Sequence, residues 1–303
     1  MAVIAEGLLE ADVADRDRGV SPMMGSFLGE TPKSHGGLLE FSRIGSTTAV
    51  TRCRAGSPLK LLTPRTHGRA AWAFLGTYGG GLVAGDDIRL HVRAGEGTAC
   101  LLSTQASTKI YRSSDGVPCR QELTASVADG ALLVSAPAPI TPFAGAVFVQ
   151  RQRFDLAAGA SLVLVDWLTS GRRARGERWA FSSYRARTDI HIAGRHVFRD
   201  ALLLDAIDGP VAAPQRMGRF ECLGLAVILG ESLRSAAGAI LRFVADQPVG
   251  RNEALICSAS PLPGGVVLRF AGTSTEIVSR WLRDRLAFTR EMLGADPWRR
   301  VGH

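Results

Sequence analysis

The chain has 303 residues, 46% hydrophobic and 21% charged, with a formal net charge of +8. That length can bury a sizeable core in one large domain or two small ones, and the composition is ordinary for a globular protein. The longest apolar run, Cys222 to Leu229, is far shorter than the roughly 20 residues of a membrane-spanning helix, so no membrane segment is expected.

The N-terminus mixes Glu6, Glu10, Asp12 and Asp15 with apolar residues and has no basic segment leading into an apolar one, which points to the cytoplasm rather than to secretion. Cys53, Cys100, Cys119, Cys222 and Cys257 are odd in number and widely spaced, unlike a disulfide framework; most lie in strand-like text and read as small core residues. Lys33, Lys60 and Lys109 are the only lysines, so the positive charge is carried by arginine. Arginine suits acidic partner surfaces as well as nucleic acid. The linear sequence shows no single basic stripe and no nucleic-acid motif, so no nucleic-acid partner is expected.

Residues 1–35 show no sustained periodicity and read as a disordered tail. From Gly36 to the C-terminus the chain is expected to form one β-rich domain. Short runs such as Leu38–Ile44 alternate apolar and polar residues between Gly, Ser and Pro, which is the pattern of strands and turns. The glycine-rich run from Gly76 to Gly85 ends in Asp86 and Asp87, not in the Gly-Lys-Ser/Thr of a phosphate loop, and it enters a strand over 88–92. Two carboxylates repel phosphate, so the run reads as a solvated turn or as a source of hard oxygen ligands.

Three segments share a turn, small residues and then a β-rich run, with glycines at 97, 130 and 159; the spacings are 33 (130 − 97) and 29 (159 − 130). A weaker fourth copy is placed at Gly194, 35 residues on (194 − 159). Such a period suggests stacked units, hence a β-helical or coiled β-sheet scaffold with glycines at turns needing positive φ. A β-sandwich with recurrent hairpins is the alternative. After the strand Cys100–Leu102 comes the polar stretch Ser103 to Arg112, whose Thr and Gln side chains would supply dipoles without charge in an interior, or a polar edge on a surface.

A few helices are expected, mostly in the C-terminal third: one over 231–245, then strands over 254–258 and 265–270, then a helix capped by Ser274 and running to about Leu293. Ile277, Trp281, Leu282, Phe288 and Met292 form the apolar side expected of that last helix. The six histidines make no H-E-x-x-H or H-x-x-H pattern, and no nucleophile elbow is present, so no enzymatic site is expected.

Four stretches carry a family resemblance: Gly80 to Asp86, Ser103 to Arg112, Pro139 to Phe143, and Asp166 to Glu177. In order, they resemble the urease accessory protein UreD (UreH) family. The last, with Gly171-Arg172-Arg173-Ala174-Arg175-Gly176-Glu177, is the most specific, and its Trp-Leu-Thr-Ser-Gly-Arg wording is similar to the eukaryotic branch. Bacterial members often carry a glutamate before the Pro-Phe element, where this chain has Ala136-Pro137-Ala138-Pro139.

The resemblance implies a β-helical, non-enzymatic scaffold. It also implies as partners apo-urease, a helical UreF-type protein and a nickel-binding UreG-type GTPase. No tightly bound cofactor is implied, only nickel in transit. On that basis Asp86, Asp166 and Glu177 are expected to line or gate a nickel passage. Lys109 and Arg172 would pair with carboxylates, and Thr104, Gln105, Tyr111 and Gly171 complete the motif positions. A purely structural adaptor without metal contact stays open, as does a carbohydrate-acting β-helix in which paired carboxylates do acid–base work.

Overall fold

The computed structural model describes residues 36–65 and 68–300, with the side chains of 299 and 300 left aside. The tail expected over 1–35 lies outside the described residues. The described residues open with β1 (Gly36–Ile44) and β2 (Thr47–Arg54), an antiparallel pair, followed by β3 (Leu59–Leu62). Four coils then follow, each crossing between two sheets. The first runs from β4 (Ala71–Thr77) to β5 (Asp87–Ala94), and the second from β6 (Ala99–Thr104) through the short β7 (Thr108–Ile110) to β8 (Cys119–Val127). The third runs from β9 (Leu132–Ser135) through the short β10 (Ile140–Pro142) to β11 (Val147–Leu156). The fourth runs from β12 (Ser161–Thr169) to β13 (Ser183–Ile192).

β5, β8, β11 and β13 pair in parallel in one sheet, and β4, β6, β9 and β12 in the other. This is a β-solenoid-like coil of about four turns, as the repeat implies. β7 and β10 form a short third side, where Leu82 bridges to Ile110 and Ile140 pairs with Thr108.

The glycines of the repeat stack at one corner: Gly97 N donates to Asp129 O at 3.0 Å and Gly130 N to Gly159 O at 3.1 Å. Gly97 and Gly130 have positive φ, +62° and +66°. Gly159 does not; there a Cβ would come within 3.0 Å of Asp129 Oδ1, a tight contact that the Asp129 side chain would have to yield to. The fourth copy fails at Gly194. That glycine turns a hairpin into β14 (Arg195–Asp205), which runs antiparallel to β13 in the same sheet and ends the coiling.

β15 (Cys222–Leu229), β16 (Leu255–Leu262) and β17 (Gly265–Gly272) extend the second sheet antiparallel. Three helices, α1 (Arg234–Ala245), α2 (Thr275–Arg285) and α3 (Thr289–Leu293), pack on its outer face. The centre of that sheet is therefore buried on both sides, and β12 reads as a nearly continuous apolar run. One core lies between the sheets, around Leu39, Phe41, Phe148, Phe154 and Leu162; the other joins Trp72, Val163 and Trp167 to Ile240, Val278 and Leu282.

Ser274 caps α2 as expected, its Oγ accepting from Ile277 N at 3.3 Å. The single helix expected to Leu293 instead breaks after Arg285, and Leu286 and Leu293 are both buried in the second core. The buried side is consequently Val278, Leu282, Leu286 and Leu293; Ile277 and Trp281 are only half-buried. No helix among the described residues is long and apolar enough to cross a membrane. Cys100, Cys119 and Cys222 are buried within strands, and burial pushes the first two thiols up to about 12; Cys53 is exposed.

The first sheet is solvated on its outer face, so its strands alternate, and their outward positions collect charge. Arg52, Arg54, Arg89, Arg93, Arg120, Arg151, Arg153, Arg185, Arg187 and Arg199 all lie there, against the carboxylates of Glu40, Asp87, Glu122, Asp155, Asp189 and Asp205. Arginines that look scattered along the sequence are thus gathered on one face, because period-two spacing on adjacent parallel strands aligns them.

Candidate functional site: a motif-bearing side and a polar interior

The motif stretches recur once per coil, and the coil stacks them on the third side. Gly81 lies beneath Tyr111: a Cβ there would meet the Tyr111 ring at 2.5 Å and Lys109 O at 2.7 Å, so only glycine fits. Leu82 N donates to Lys109 O, and Tyr111 N to Leu82 O, both at 2.8 Å. The Tyr111 ring meets Phe143 edge-on, with centroids 5.2 Å apart. The Arg172 guanidinium lies 4.0 Å over the other ring of this contact, that of Phe143.

Arg172 Nε donates to Glu177 Oε2 at 2.9 Å and its terminal nitrogen to Oε1, a bidentate pair; Glu177 Oε2 also accepts from Ala144 N at 3.2 Å. The Arg172 hydrogen bond, followed by the Ala144 amide, holds the Glu177 carboxyl below the usual range. Gly171, at φ +123°, brings the chain close to Pro142 O. The expected Arg172 pair is therefore formed. Lys109, by contrast, points to solvent and has no ion-pair partner among the described residues; only its backbone joins the stack.

Asp86 closes its own turn, its Oδ2 accepting from Val83 N at 2.9 Å. Thr104 is buried and accepts from Ala138 N at 2.9 Å, tying the second coil to the third. Thr104 and the exposed Gln105 also line a cavity of about 190 Å³ with Ile88, Thr108 and Gln121.

Asp166 alone of the expected carboxylates faces the space between the sheets, from β12. Gln152 Nε2 donates to its Oδ2 at 2.7 Å, and Gln150 Nε2 lies at 3.4 Å from Oδ1. Tyr184 OH donates to Gln150 Oε1 at 3.2 Å, and Gln152 Nε2 lies 3.4 Å from Thr188 Oγ1. Burial pushes the Asp166 carboxyl up to about 6; the Gln150 amide opposes the rise, Asp200 adds to it and Gln152 opposes it. Asp166, Tyr184, Thr188 and Asp200 line a second cavity of about 250 Å³, across which Arg269 pairs with Asp200 at 2.9 Å.

The strand register connects the two cavities. On the inner face of the first sheet Ile88 pairs with Gln121, Gln121 with Gln150, and Gln152 with Thr188, which pairs with Asp200. A line of uncharged polar groups therefore runs across the coils from the first cavity to the second, through an otherwise apolar core. Sequence reading singled out Asp166 but missed the two glutamines. Their signal is the alternation Phe148-x-Gln150-x-Gln152-x-Phe154, in which two amides occupy inward positions.

It also missed Glu221, buried before β15, which binds Ser170 Oγ, Arg173 and Arg178 and so anchors the segment after β12. The structure does not bring Asp86, Asp166 and Glu177 together: Asp86 lies at a turn of the first coil, Asp166 inside the fourth, and Glu177 on the third side. Among the described residues no three His, Cys, Asp or Glu side chains gather as a metal-binding group.

The family described as UreD urease accessory protein is matched over residues 35–302. The chain is 50% identical over 269 residues to a protein of Sorangium cellulosum named urease accessory protein UreD, an alignment spanning 88% of this chain and 84% of that one. It is 46% identical to another of that name from Anaeromyxobacter, over 88% and 89% of the two chains. Plant proteins are also similar: urease accessory protein D of Oryza sativa subsp. japonica is 34% identical over 88% of this chain and 95% of its own.

Proposed function

The chain belongs to the UreD urease accessory protein family, and from that premise we propose that it serves urease maturation as a scaffold through which nickel passes toward apo-urease. On this reading a UreG-type GTPase supplies the ion and the nucleotide chemistry, and a helical UreF-type protein couples that GTPase to this chain. The chain itself has no catalytic residues, binds no cofactor tightly and works in the cytoplasm.

The observation that carries the reading is the polar line between the two cavities, from Gln121 through Gln150 and Gln152 to Asp166, Thr188 and Asp200. A nickel ion in transit needs sites that can replace part of its water shell without holding it. Amide and carboxylate oxygens bind nickel more weakly than thiolate or imidazole, and several weak sites in series favour movement over trapping. Cavities of about 190 and 250 Å³ each exceed several times the roughly 30 Å³ that one water occupies, so a partly hydrated ion fits. Within this proposal Asp166 is the charged station of the passage. Asp86 and Glu177 line neither cavity, while Thr104 and Gln105 line the first.

A structural-adaptor reading has its own support: Arg172, Glu177, Tyr111 and Gly81 hold the third side together and leave the interior to other residues. The test is urease reconstitution in a urease-negative host with every other component present and this chain included or omitted. Omission is expected to leave urease assembled but nickel-poor and inactive. Unchanged nickel content and activity would overturn the proposal.

A further inference from the structure

We infer that the outer face of the first sheet, at the end where β8, β11 and β13 begin, is a docking surface for an acidic protein partner. In the register Arg120 pairs with Val149, Val149 with Arg185, and Arg185 with Leu203, so two guanidinium groups and two aliphatic side chains alternate along one row. Arg151 stands one step along β11 on the same face. With strands about 4.8 Å apart, Arg120 and Arg185 lie roughly 10 Å from each other.

Three features set this row apart from an ordinary solvated face. First, Arg120, Arg151 and Arg185 are exposed and form no ion pair among the described residues, although Asp87 stands opposite Arg120 and Glu122 opposite Arg151 in the register, whereas Arg89, Arg93, Arg153, Arg187 and Arg199 on the same sheet are each paired. Asp205, the acid beside Arg185, accepts from the Ile207 amide at 3.0 Å, the main cause that holds its carboxyl below the usual range; the charges of Arg185 and Arg216 add to it without an ion-pair contact. Second, exposed aliphatic side chains interleave with the charge: Leu203 is 50% exposed, and Val117, just before β8, is 43% exposed. Arginine mixed with apolar surface is the composition of a protein interface, while a single-stranded nucleic-acid groove favours aromatics among its cations. Third, helices cover the outer face of the other sheet, but among the described residues no element covers this one. The complementary surface is therefore acidic with apolar residues between its carboxylates, and arginine can meet those carboxylates bidentately.

The test rests on the partners named under the proposed function. The full chain, a triple variant Arg120→Glu, Arg151→Glu, Arg185→Glu, and a control Arg242→Glu, Arg280→Glu, Arg283→Glu on the helices are compared. Binding is titrated against apo-urease, the UreF-type protein and the UreG-type GTPase at 50 and 200 mM salt, after matching circular dichroism shows all three chains folded. For at least one partner, tenfold or greater weakening in the sheet variant with a shallower salt dependence is expected, the control staying within twofold. Unchanged affinity in the sheet variant, or equal loss in the control, overturns this inference and leaves the maturation reading standing. Failure of the unmodified chain to bind any of the three overturns both. Binding of a structured RNA that the sheet variant loses, while it keeps protein binding, overturns the acidic-protein assignment.

Discussion

Gln152 on β11 donates to Asp166 on β12 at 2.7 Å, and the bond crosses the gap between the two sheets at the level where the core turns polar. A carboxylate facing inward from a strand that is otherwise apolar costs stability unless something satisfies it. Here two amides satisfy it in part, and burial still pushes its pKa up to about 6. Selection for stability alone would have placed an apolar residue at 166, as at Leu162 and Leu164 on the same face.

Asp166→Asn is therefore expected to stabilise the protein. The folded-state pKa lies above the ordinary value of 3.8, so the folded protein binds the extra proton between those two values. The penalty is fully present above pH 6, fades as pH falls through 6, and is gone below about pH 4. Urea unfolding should find the variant more stable by roughly 1–3 kcal/mol at pH 7.5 and indistinguishable from wild type near pH 4. Equal stability at pH 7.5 would show that the carboxyl is not strained by burial.

Gly81→Ala tests the stack on the third side. The new methyl meets the Tyr111 ring and Lys109 O, and overpacking of this kind costs about 1–3 kcal/mol. Tyr111→Leu in the same chain should restore only part of the loss, because the Lys109 carbonyl belongs to the backbone and does not retreat. Thermal unfolding of the single and double variants decides it; full rescue would place the whole conflict on the ring.

Glu221→Ala removes the acceptor shared by Ser170, Arg173 and Arg178. Arg173 is largely exposed, so the cost is below that of a fully buried network, about 2–3 kcal/mol. Hydrogen exchange should quicken over 170–182 while the strands of the first coil keep their protection. Uniform quickening would mean that Glu221 supports the whole coil and not this segment alone.

Much of the fold was legible because it depends on local rules. The glycine period gave the coil, alternation gave the solvated sheet, and Ser274 gave a helix start. The fourth repeat was misread because Gly194 looks like its predecessors, while hairpin return and crossover to the other sheet differ only in which strand the next segment pairs with. The helix break at Leu286 is likewise absent from the apolar pattern, since Leu286 and Leu293, seven residues apart, would share a face in an unbroken helix as well. At the site, the motif residues were visible one by one, but their stacking follows from coil register. The arginine face and the Gln150–Gln152–Asp166 group required knowing which strands are neighbours.

Replacing both interior amides, Gln150→Leu with Gln152→Leu, tests the passage most directly, because leucine is similar in size and removes only the polar groups. The double variant and wild type would be assembled with the partner proteins, and nickel per urease measured after a fixed time at limiting nickel. The account predicts intact assembly with nickel loading at least tenfold slower. Wild-type loading in a correctly assembled complex would contradict an interior route for nickel and leave the chain as an adaptor.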